Sequence, residues 1–489
     1  MTGAYQKTSA QQHSDVSILQ FGASNQGKQR IDSALTHAIH ALTQQGGGTI
    51  NFPSGIYYTG PIELESHIFL NLQRNARLIF TTDSSDYRKP GKRSGQTEWL
   101  PLIRMNQITD AGISGSGCID GQENAWGNAS PPKTAIASVV STADPVDSLL
   151  PASRQPMIIP ADDPRPSLIQ IVHSRGILLE GIELTNVPNT AIEQTDSRRI
   201  TLRNIRIENP DSTAATGIRS ESCSNIQISA AQIESGGDGI EICSSDTTVL
   251  PHNGTSGNII ICDCRIENAL NGIRFENTSG HTLSDISVNN CLILKSEKGL
   301  KLDLSPDKEA YIQNLQVNDL IMDSIKEAAF QITIHQDETN QQDNEHPLMK
   351  NVHFSNITGQ AGQAGIISGN PAVDFGELTM ANIDLTTNLG LSIKGASGIS
   401  IETVIINNSI GPSLLVHQTK NLNIHNFCTN TPQPQTPVIH LDEASEIHIF
   451  DCFQSEPTFV FVEEEKNSCS AIYLSNNILD QVETPVLIH

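Results

Sequence analysis

The sequence predicts an all-β chain that winds as a solenoid of short strands, and three observations support this. A phrase with alternating apolar residues recurs along the chain, starting at Ile177, Ile200, Ile226, Ile259, Ile286 and Leu315. Successive starts are 23 to 33 residues apart, a spacing typical of repeat proteins. No helical pattern lies between the repeats, and 35 glycines with only 4% aromatic residues suit many short strands joined by turns.

Weaker copies of the phrase extend the solenoid in both directions, so the 489 residues are expected to form one domain. We expect a flexible tail at 1–15, a single domain at 16–489 and extra C-terminal coils at 350–489. An amphipathic helix at 30–44 is predicted to cap the N-terminal end, because Ile31, Leu35, Ala38, Ile39 and Leu42 share one helical face. The segment 128–167, rich in Pro, Ser, Ala and Asp, is interpreted as a long loop or lid.

Composition excludes several classes of partner. A formal charge of −24 opposes binding to nucleic acid. No apolar run approaches the ~20 residues of a membrane span. The first 15 residues lack the apolar core of a signal peptide, which indicates a cytoplasmic protein as the sequence stands, or a secreted or periplasmic one if a leader was removed. Nine cysteines without metal-site spacing are interpreted as small buried hydrophobes rather than metal ligands or disulfides, and no metal or cofactor is expected.

Several segments follow one another in a distinctive order: FGASNQGKQRIDSALTHAI, GGGTINFPSGIYYTGPIEL, SGSGCIDGQENAWGN and RPSLIQIVHSRGILLEGI, followed by the coils to Met322. In this order they resemble one known family, the polygalacturonases of glycoside hydrolase family 28. The resemblance implies a single-stranded right-handed parallel β-helix that hydrolyses pectin-type polysaccharides. The coils at 350–489 are similar to the C-terminal extension of some bacterial members.

The motifs that carry catalysis in this family are mostly replaced here. Where the family has Asn-Thr-Asp-Gly, this chain has AATG ending at Gly217, and Gly-Asp-Asp becomes Gly236-Gly237-Asp238. The family's Gly-His-Gly becomes LNG ending at Gly272, and Arg-Ile-Lys becomes KLD at 301–303. Inverting hydrolysis needs one proton-donating carboxyl and one carboxylate that activates water, and Asp238 cannot fill both roles. The resemblance therefore implies that the standard activity is altered or lost.

Strand alternation predicts which side chains face outward on consecutive coils. One outward row is predicted to contain Glu193, Arg219, Glu241, Arg274 and Lys301. A second row, two residues further along each strand, contains Glu221, Cys243, Glu276 and Asp303.

These rows have two interpretations. The first is a charge ladder in which opposite charges on neighbouring strands stabilise the solenoid and do nothing more. The second is a rebuilt sugar site with Asp238, Glu276 and Asp303 as catalytic candidates, in which the first row and His335 bind substrate. Asp238 is equally explained as a turn residue, and His335 as a solvated one. Trp99 and Trp126 are expected to pack structurally rather than to stack on sugars.

Three functional hypotheses remain open at this stage. The chain is a diverged glycoside hydrolase acting on a pectin-like or other acidic, uronic-acid-containing glycan, or a carbohydrate-binding protein that lost the chemistry, or a structural or partner-binding solenoid. The outward cations Arg219, Arg274 and Lys301 favour the first two, because uronate carboxylates need such partners.

Overall fold

Parallel strands stacked along one axis make up the chain, which forms a right-handed parallel β-helix as the sequence predicted. The computed structural model describes residues 14–90, 97–126, 165–209, 215–244, 256–277, 281–304, 311–334, 348–371, 373, 375–465 and 468–488. Of the predicted lid only residues 165–167 are described, and His335 lies outside the described residues. The proposed boundaries of the tail and of the single domain remain predictions.

The N-terminal coils contain the cap and the first strands. The helix α1 spans Asp32–Thr43, and short 3-10 helices lie at Ile18–Phe21, Ser84–Asp86 and Glu123–Trp126. The strands of this part are β1 Ser14–Ser17, β2 Gln26–Arg30, β3 Gly48–Phe52, β4 Gly55–Thr59, β5 Ile62–Glu63, β6 Ile68–Leu72, β7 Ala76–Phe80, β8 Arg88–Pro90, β9 Thr97–Trp99, β10 Ile103–Asn106, β11 Thr109–Gly115 and β12 Cys118–Asp120.

The central coils follow, with three short strands each up to β24, after which the 12-residue β26 pairs with both β23 and β24. Their strands are β13 Ile169–Val172, β14 Arg175–Glu180, β15 Glu183–Thr185, β16 Thr190–Thr195, β17 Arg198–Arg203, β18 Arg206–Asn209, β19 Thr216–Glu221, β20 Ser224–Ser229, β21 Gln232–Ser235, β22 Ile240–Ser244, β23 Ser256–Cys262, β24 Arg265–Glu267, β25 Asn271–Asn277, β26 Leu283–Leu294 and β27 Lys298–Leu304.

The C-terminal coils begin with strands long enough to turn corners of the helix. They are β28 Ile312–Ile334, β29 Met349–Ser368, β30 Gly376–Lys394, β31 Ser397–His417, β32 Lys420–Cys428, β33 Pro437–Asp442, β34 Ser445–Phe450, β35 Thr458–Glu464, β36 Ser470–Ser475 and β37 Val482–Ile488.

Apart from the antiparallel pair β8–β9, the strands pair in parallel with equivalent strands of neighbouring coils, so equivalent residues stack in rows. The inward row of one sheet runs Ile192, Ile218, Ile240, Ile273, Leu300 and Phe330, and all six side chains are buried. Stacking of this kind gives the solenoid one continuous apolar core, to which each coil contributes buried aliphatic side chains.

The predicted cap helix is confirmed. All five residues of the expected apolar face are buried: Ile31, Leu35, Ala38, Ile39 and Leu42. They cover the first coil, where a bare solenoid end would leave apolar surface and backbone groups exposed.

Asparagine and aspartate residues form corner ladders between coils. Asn258 donates to Asn225 at 2.6 Å, and Asn351 donates to Asn314 at 2.8 Å, through their side-chain amides. All four residues have positive φ, which asparagine adopts more readily than most residues do. Asparagine at these corners thus satisfies the positive φ and links one coil to the next.

Glycines allow neighbouring coils to approach closely just before the strands of the outward rows. A Cβ on Gly239 would lie 2.4 Å from Ile266 Cγ2 and 2.6 Å from the carbonyl oxygen of Gly272. A Cβ on Gly272 would lie 2.5 Å from Ile293 Cγ2. Only glycine fits there, and the residue before each glycine, Asp238 or Asn271, is held at the edge of the outward face.

The described part of the chain contains no helix long and apolar enough to span a membrane. All nine cysteines are free thiols, and six of them are buried, as predicted. Among the residues with described positions, no group of side chains is arranged to hold a metal ion.

Candidate functional site

The first outward row has the register that the sequence predicted. Glu193 pairs with Arg219, Arg219 with Glu241, Glu241 with Arg274, and Arg274 with Lys301. Each of the five side chains is therefore displaced from the next by one coil, about 4.8 Å.

The second row also follows the prediction. Glu221 pairs with Cys243, Cys243 with Glu276, and Glu276 with Asp303. Because this row is two residues along the same strands, its carboxylates face the same surface as the first row.

Arg274 is the centre of this surface. Its guanidinium nitrogens lie 3.5 Å from Asp238, 3.6 Å from Glu241, 3.0 Å from Glu276 and 2.9 Å from Asp303, measured to the nearest carboxylate oxygen. We call these four acidic residues the carboxylate ring. They come from three consecutive coils, and a single arginine connects them.

The members of the carboxylate ring differ in how far water can reach them. Asp303 is 2% exposed in its side chain, and it accepts from Lys301 at 2.9 Å as well as from Arg274. Glu276 is 23% exposed. Two cations and deep burial make Asp303 a group that holds Arg274 and Lys301 in place, whereas Glu276 is open to a water molecule or a ligand.

Glu241 has the most perturbed chemistry of the ring. The pKa of its carboxyl is raised to about 7, chiefly by burial, while Arg219 and Arg274 lower it and the neighbouring Asp238 and Glu276 raise it. Burial disfavours the charged form of a carboxyl more strongly than the two guanidinium groups favour it here. Near neutral pH this carboxyl therefore holds a proton for a substantial part of the time.

Asp238 and Asn271 form the edge of the site. Asn271 Nδ2 donates to Asp238 Oδ1 at 2.5 Å, and both residues precede the glycines that allow close packing of the coils. Asn271 Oδ1 is buried and has no hydrogen-bond partner among the described residues, and the same is true of Arg219 Nε, which is 3.8 Å from Glu241. Two buried polar atoms close to the carboxylate ring thus lack partners.

The remaining predicted residues are distributed along the surface. Glu193 accepts from Ser167 Oγ at 2.6 Å and from Gln170 Nε2 at 3.1 Å, and so belongs to a separate group two coils from Glu241. Arg219 reaches Glu221 at 3.4 Å, and Lys301 reaches Asp303. The geometry brings together Asp238, Glu241, Arg274, Glu276, Asp303 and Lys301, with Arg219 beside them.

The two tryptophans pack structurally. Trp126 is fully buried, donates from Nε1 to the carbonyl oxygen of Gly121 at 2.8 Å and makes an edge contact with Tyr87. Trp99 packs against Trp126, and the guanidinium of Arg88 lies 4.9 Å from its ring centre. The expectation of a packing role therefore agrees with their contacts.

The profile described as "Glycosyl hydrolases family 28" matches residues 161–404, a range that contains both outward rows. The chain is related to this family of glycosyl hydrolases. A probable polygalacturonase of Vitis vinifera is 24% identical over 403 residues, which are 78% of this chain and 76% of that protein. An endo-polygalacturonase of Pectobacterium carotovorum subsp. carotovorum is 21% identical and covers 70% of this chain and 81% of its own length.

Solved polygalacturonases share the fold. A hyperthermoactive exopolygalacturonase from Thermotoga maritima superposes with a TM-score of 0.62 at 21% identity, covering 81% of this chain and 92% of that chain. The polygalacturonase of Erwinia carotovora ssp. carotovora gives a TM-score of 0.56 at 19% identity, with 78% and 96% covered. The resemblance to the polygalacturonase family stated from the sequence is confirmed.

Proposed function

We propose that the protein hydrolyses glycosidic bonds in a polysaccharide and that Glu241 is the proton donor. The observation that carries the proposal is the pKa of about 7 for a carboxyl that lies in the carboxylate ring on the outward face of the β-helix. A general acid works best when its pKa is close to the working pH. The relationship to the family 28 glycosyl hydrolases supports the choice of reaction.

In this mechanism the two carboxyl groups have different roles. Glu241 gives its proton to the glycosidic oxygen as the bond to the anomeric carbon breaks. Glu276, the more exposed member of the ring, takes a proton from a water molecule, and the resulting hydroxide bonds to the anomeric carbon. Arg274 contacts both residues and so keeps the two carboxyl groups on the same part of the surface.

The two unpartnered buried atoms support a ligand with hydroxyl groups. Asn271 Oδ1 can accept from a sugar hydroxyl, and Arg219 Nε can donate to one. Leaving buried polar atoms without partners costs free energy, which a bound sugar would recover.

A pectin-type or other uronic-acid glycan is the proposed substrate class. The names of its relatives, which are polygalacturonases, support this class, as does the presence of Arg219, Arg274 and Lys301 on the surface. All three cations already contact carboxylates of this chain, so a uronate at this point must share them.

A second candidate function is glycan binding without turnover. The observation that favours it is the depth of Glu241, whose side chain is only 6% exposed and must still reach a glycosidic oxygen. In that case the surface binds a glycan but releases no products.

Release of reducing ends from a panel of polygalacturonate, esterified pectin, alginate and neutral arabinan separates these functions. The proposal predicts release from at least one acidic polymer and its loss in Glu241→Gln. Binding by the unsubstituted protein without release favours the second candidate. Release that persists in Glu241→Gln overturns the assigned acid.

A further inference from the structure

The outward row continues upstream of the site through residues that the sequence did not single out. Arg104 on β10 pairs in register with Glu63 on one side and with Gln170 on the other, and Gln170 pairs with Glu193. Arg104 is therefore four coils from Glu241 along the same row, which corresponds to about 19 Å at ~4.8 Å per coil.

Arg104 differs from the other arginines of this row because its guanidinium contacts no carboxylate among the residues that the structure describes. Its side chain is half-buried, and its Nε is buried without a hydrogen-bond partner among the described residues. It makes no ion pair there, although Glu63 is its in-register neighbour and is exposed. Arg219, Arg274 and Lys301, in contrast, each contact at least one carboxylate.

Burying part of a guanidinium costs free energy unless hydrogen-bond acceptors satisfy its N–H donors. No side chain of the described residues does so, and the nearby Glu193 is already held by Ser167 and Gln170. The planar fork of an arginine matches a carboxylate with two parallel hydrogen bonds.

We propose that Arg104 forms an anion subsite of the groove that binds the carboxylate of an acidic sugar about four coils from Glu241. This rests on the proposed function, because it assumes that a glycan lies along the outward row. It adds a point of recognition for acidic groups at Arg104, whereas Arg219, Arg274 and Lys301 share their donors with the chain's own carboxylates. The uronate that Arg104 binds would then lie several sugars away from the cleaved bond.

The test measures binding of polygalacturonate and of its fully methyl-esterified form to the unsubstituted protein, Arg104→Gln and Arg198→Gln. Arg198 is a matched control, because it is an exposed arginine on β17, which belongs to another sheet of the β-helix. We expect Arg104→Gln to weaken polygalacturonate binding by about tenfold or more, the loss expected for a hydrogen bond to a charged group. Binding of the esterified form should change less than about twofold, since it lacks the carboxylate, and Arg198→Gln should affect neither.

Equal effects of Arg104→Gln on the charged and esterified polymers, or no effect on either, overturn the subsite. Thermal unfolding of each variant is recorded in parallel, and a loss of binding to both polymers together with a lowered Tm also counts against it. The result is separable from the proposed acid. If Glu241→Gln abolishes reducing-end release but Arg104→Gln changes binding of the two polymers equally, only the Arg104 subsite is wrong. If no polymer binds the unsubstituted protein, both proposals fall.

Discussion

Arg274 and Asp303 lie on adjacent coils, and Nε of Arg274 donates to Oδ2 of Asp303 at 2.9 Å. The same guanidinium contacts three further carboxylates, so one cation balances much of the negative charge of the site. Together with Lys301 it supplies the cations that contact the almost fully buried side chain of Asp303. This contact therefore links the stability of the coils to the electrostatics of the carboxylate ring.

Removal of Arg274 is predicted to destabilise the protein. Arg274→Gln removes one of the two cations that contact Asp303 and the cation that connects the carboxylate ring, and breaking a buried ion pair costs about 3 kcal/mol. The free energy of unfolding in urea measures the loss. Arg203→Gln is the control, because Arg203 pairs with Glu180 on an exposed surface and such pairs contribute less than about 1 kcal/mol. Equal losses in the two variants would contradict the central role of Arg274.

Glu241 is predicted to make stability depend on pH. Its pKa in the folded chain, about 7, lies above the ordinary 4.5, so the folded protein binds the proton more tightly than the unfolded one. The resulting stabilisation is fully present below pH 4.5 and is lost as the pH rises through about 7. At ~1.36 kcal/mol per pKa unit the loss is about 3 kcal/mol.

Urea unfolding of the unsubstituted protein and of Glu241→Gln at pH 4.5, 6 and 8 isolates this effect, since glutamine stays neutral throughout. We expect the unsubstituted protein to lose stability relative to the variant between the lowest and highest of these pH values. Parallel curves for the two proteins would show that Glu241 titrates with an ordinary pKa.

Glu276→Gln is predicted to lower turnover without unfolding the protein. Loss of the group that activates water should reduce kcat by about 10²–10⁴-fold while glycan binding survives. The control is Glu180→Gln on β14, which belongs to a different sheet. Unchanged turnover in Glu276→Gln would indicate that the second outward row is only a charge ladder that stabilises the solenoid.

The glycine before β22 is predicted to be required for packing. Gly239→Ala places a methyl group 2.4 Å from Ile266 and 2.6 Å from the Gly272 carbonyl oxygen, so the coils must separate and Asp238 must move. We expect a lowered Tm and a loss of activity. Gly411→Ala is the comparison, because nothing lies within 4 Å of that Cβ and only its φ of 72° is strained. A smaller loss at Gly239 than at Gly411 would contradict the packing argument.

The repeat and strand alternation were sufficient to predict the solenoid and both outward rows, and the apolar face at helical spacing was sufficient to predict the cap helix. Apolar residues every second position fix which side chains face the core, and the spacing of the repeats fixes the register between coils. The same alternation predicts that Ile205, Cys264 and Cys291 face the core, and all three are buried.

The chemistry of the site was less predictable. Alternation identified Glu241 as outward, but its burial and raised pKa depend on how Arg219, Asp238 and Arg274 fill the space around it, which no spacing encodes. Alternation alone therefore predicts a substrate-binding role for Glu241 and a catalytic role for the pair Glu276 and Asp303. In the structure, Asp303 is buried beneath two cations. The catalytic roles themselves remain predictions.

Arg104 and Gln170 were missed because a long insertion separates them in sequence. They are register neighbours in space, yet the segment between β12 and β13 breaks the repeat spacing on which the outward rows were aligned. The similar alternation in IRMN from Ile103 and IQIV from Ile169 was the signal that could have aligned Arg104 with Gln170.

The dependence of kcat/KM on pH, measured by reducing-end release from the best polymer of the panel, tests the role of Glu241 most directly. If Glu241 is the proton donor, kcat/KM should fall above about pH 7 as Glu241 loses its proton. At the optimum, Glu241→Gln should lower kcat/KM by about 10²–10⁴-fold. The role of Glu241 is contradicted if kcat/KM does not fall near pH 7 or if Glu241→Gln retains activity. It is also contradicted if no polymer releases reducing ends.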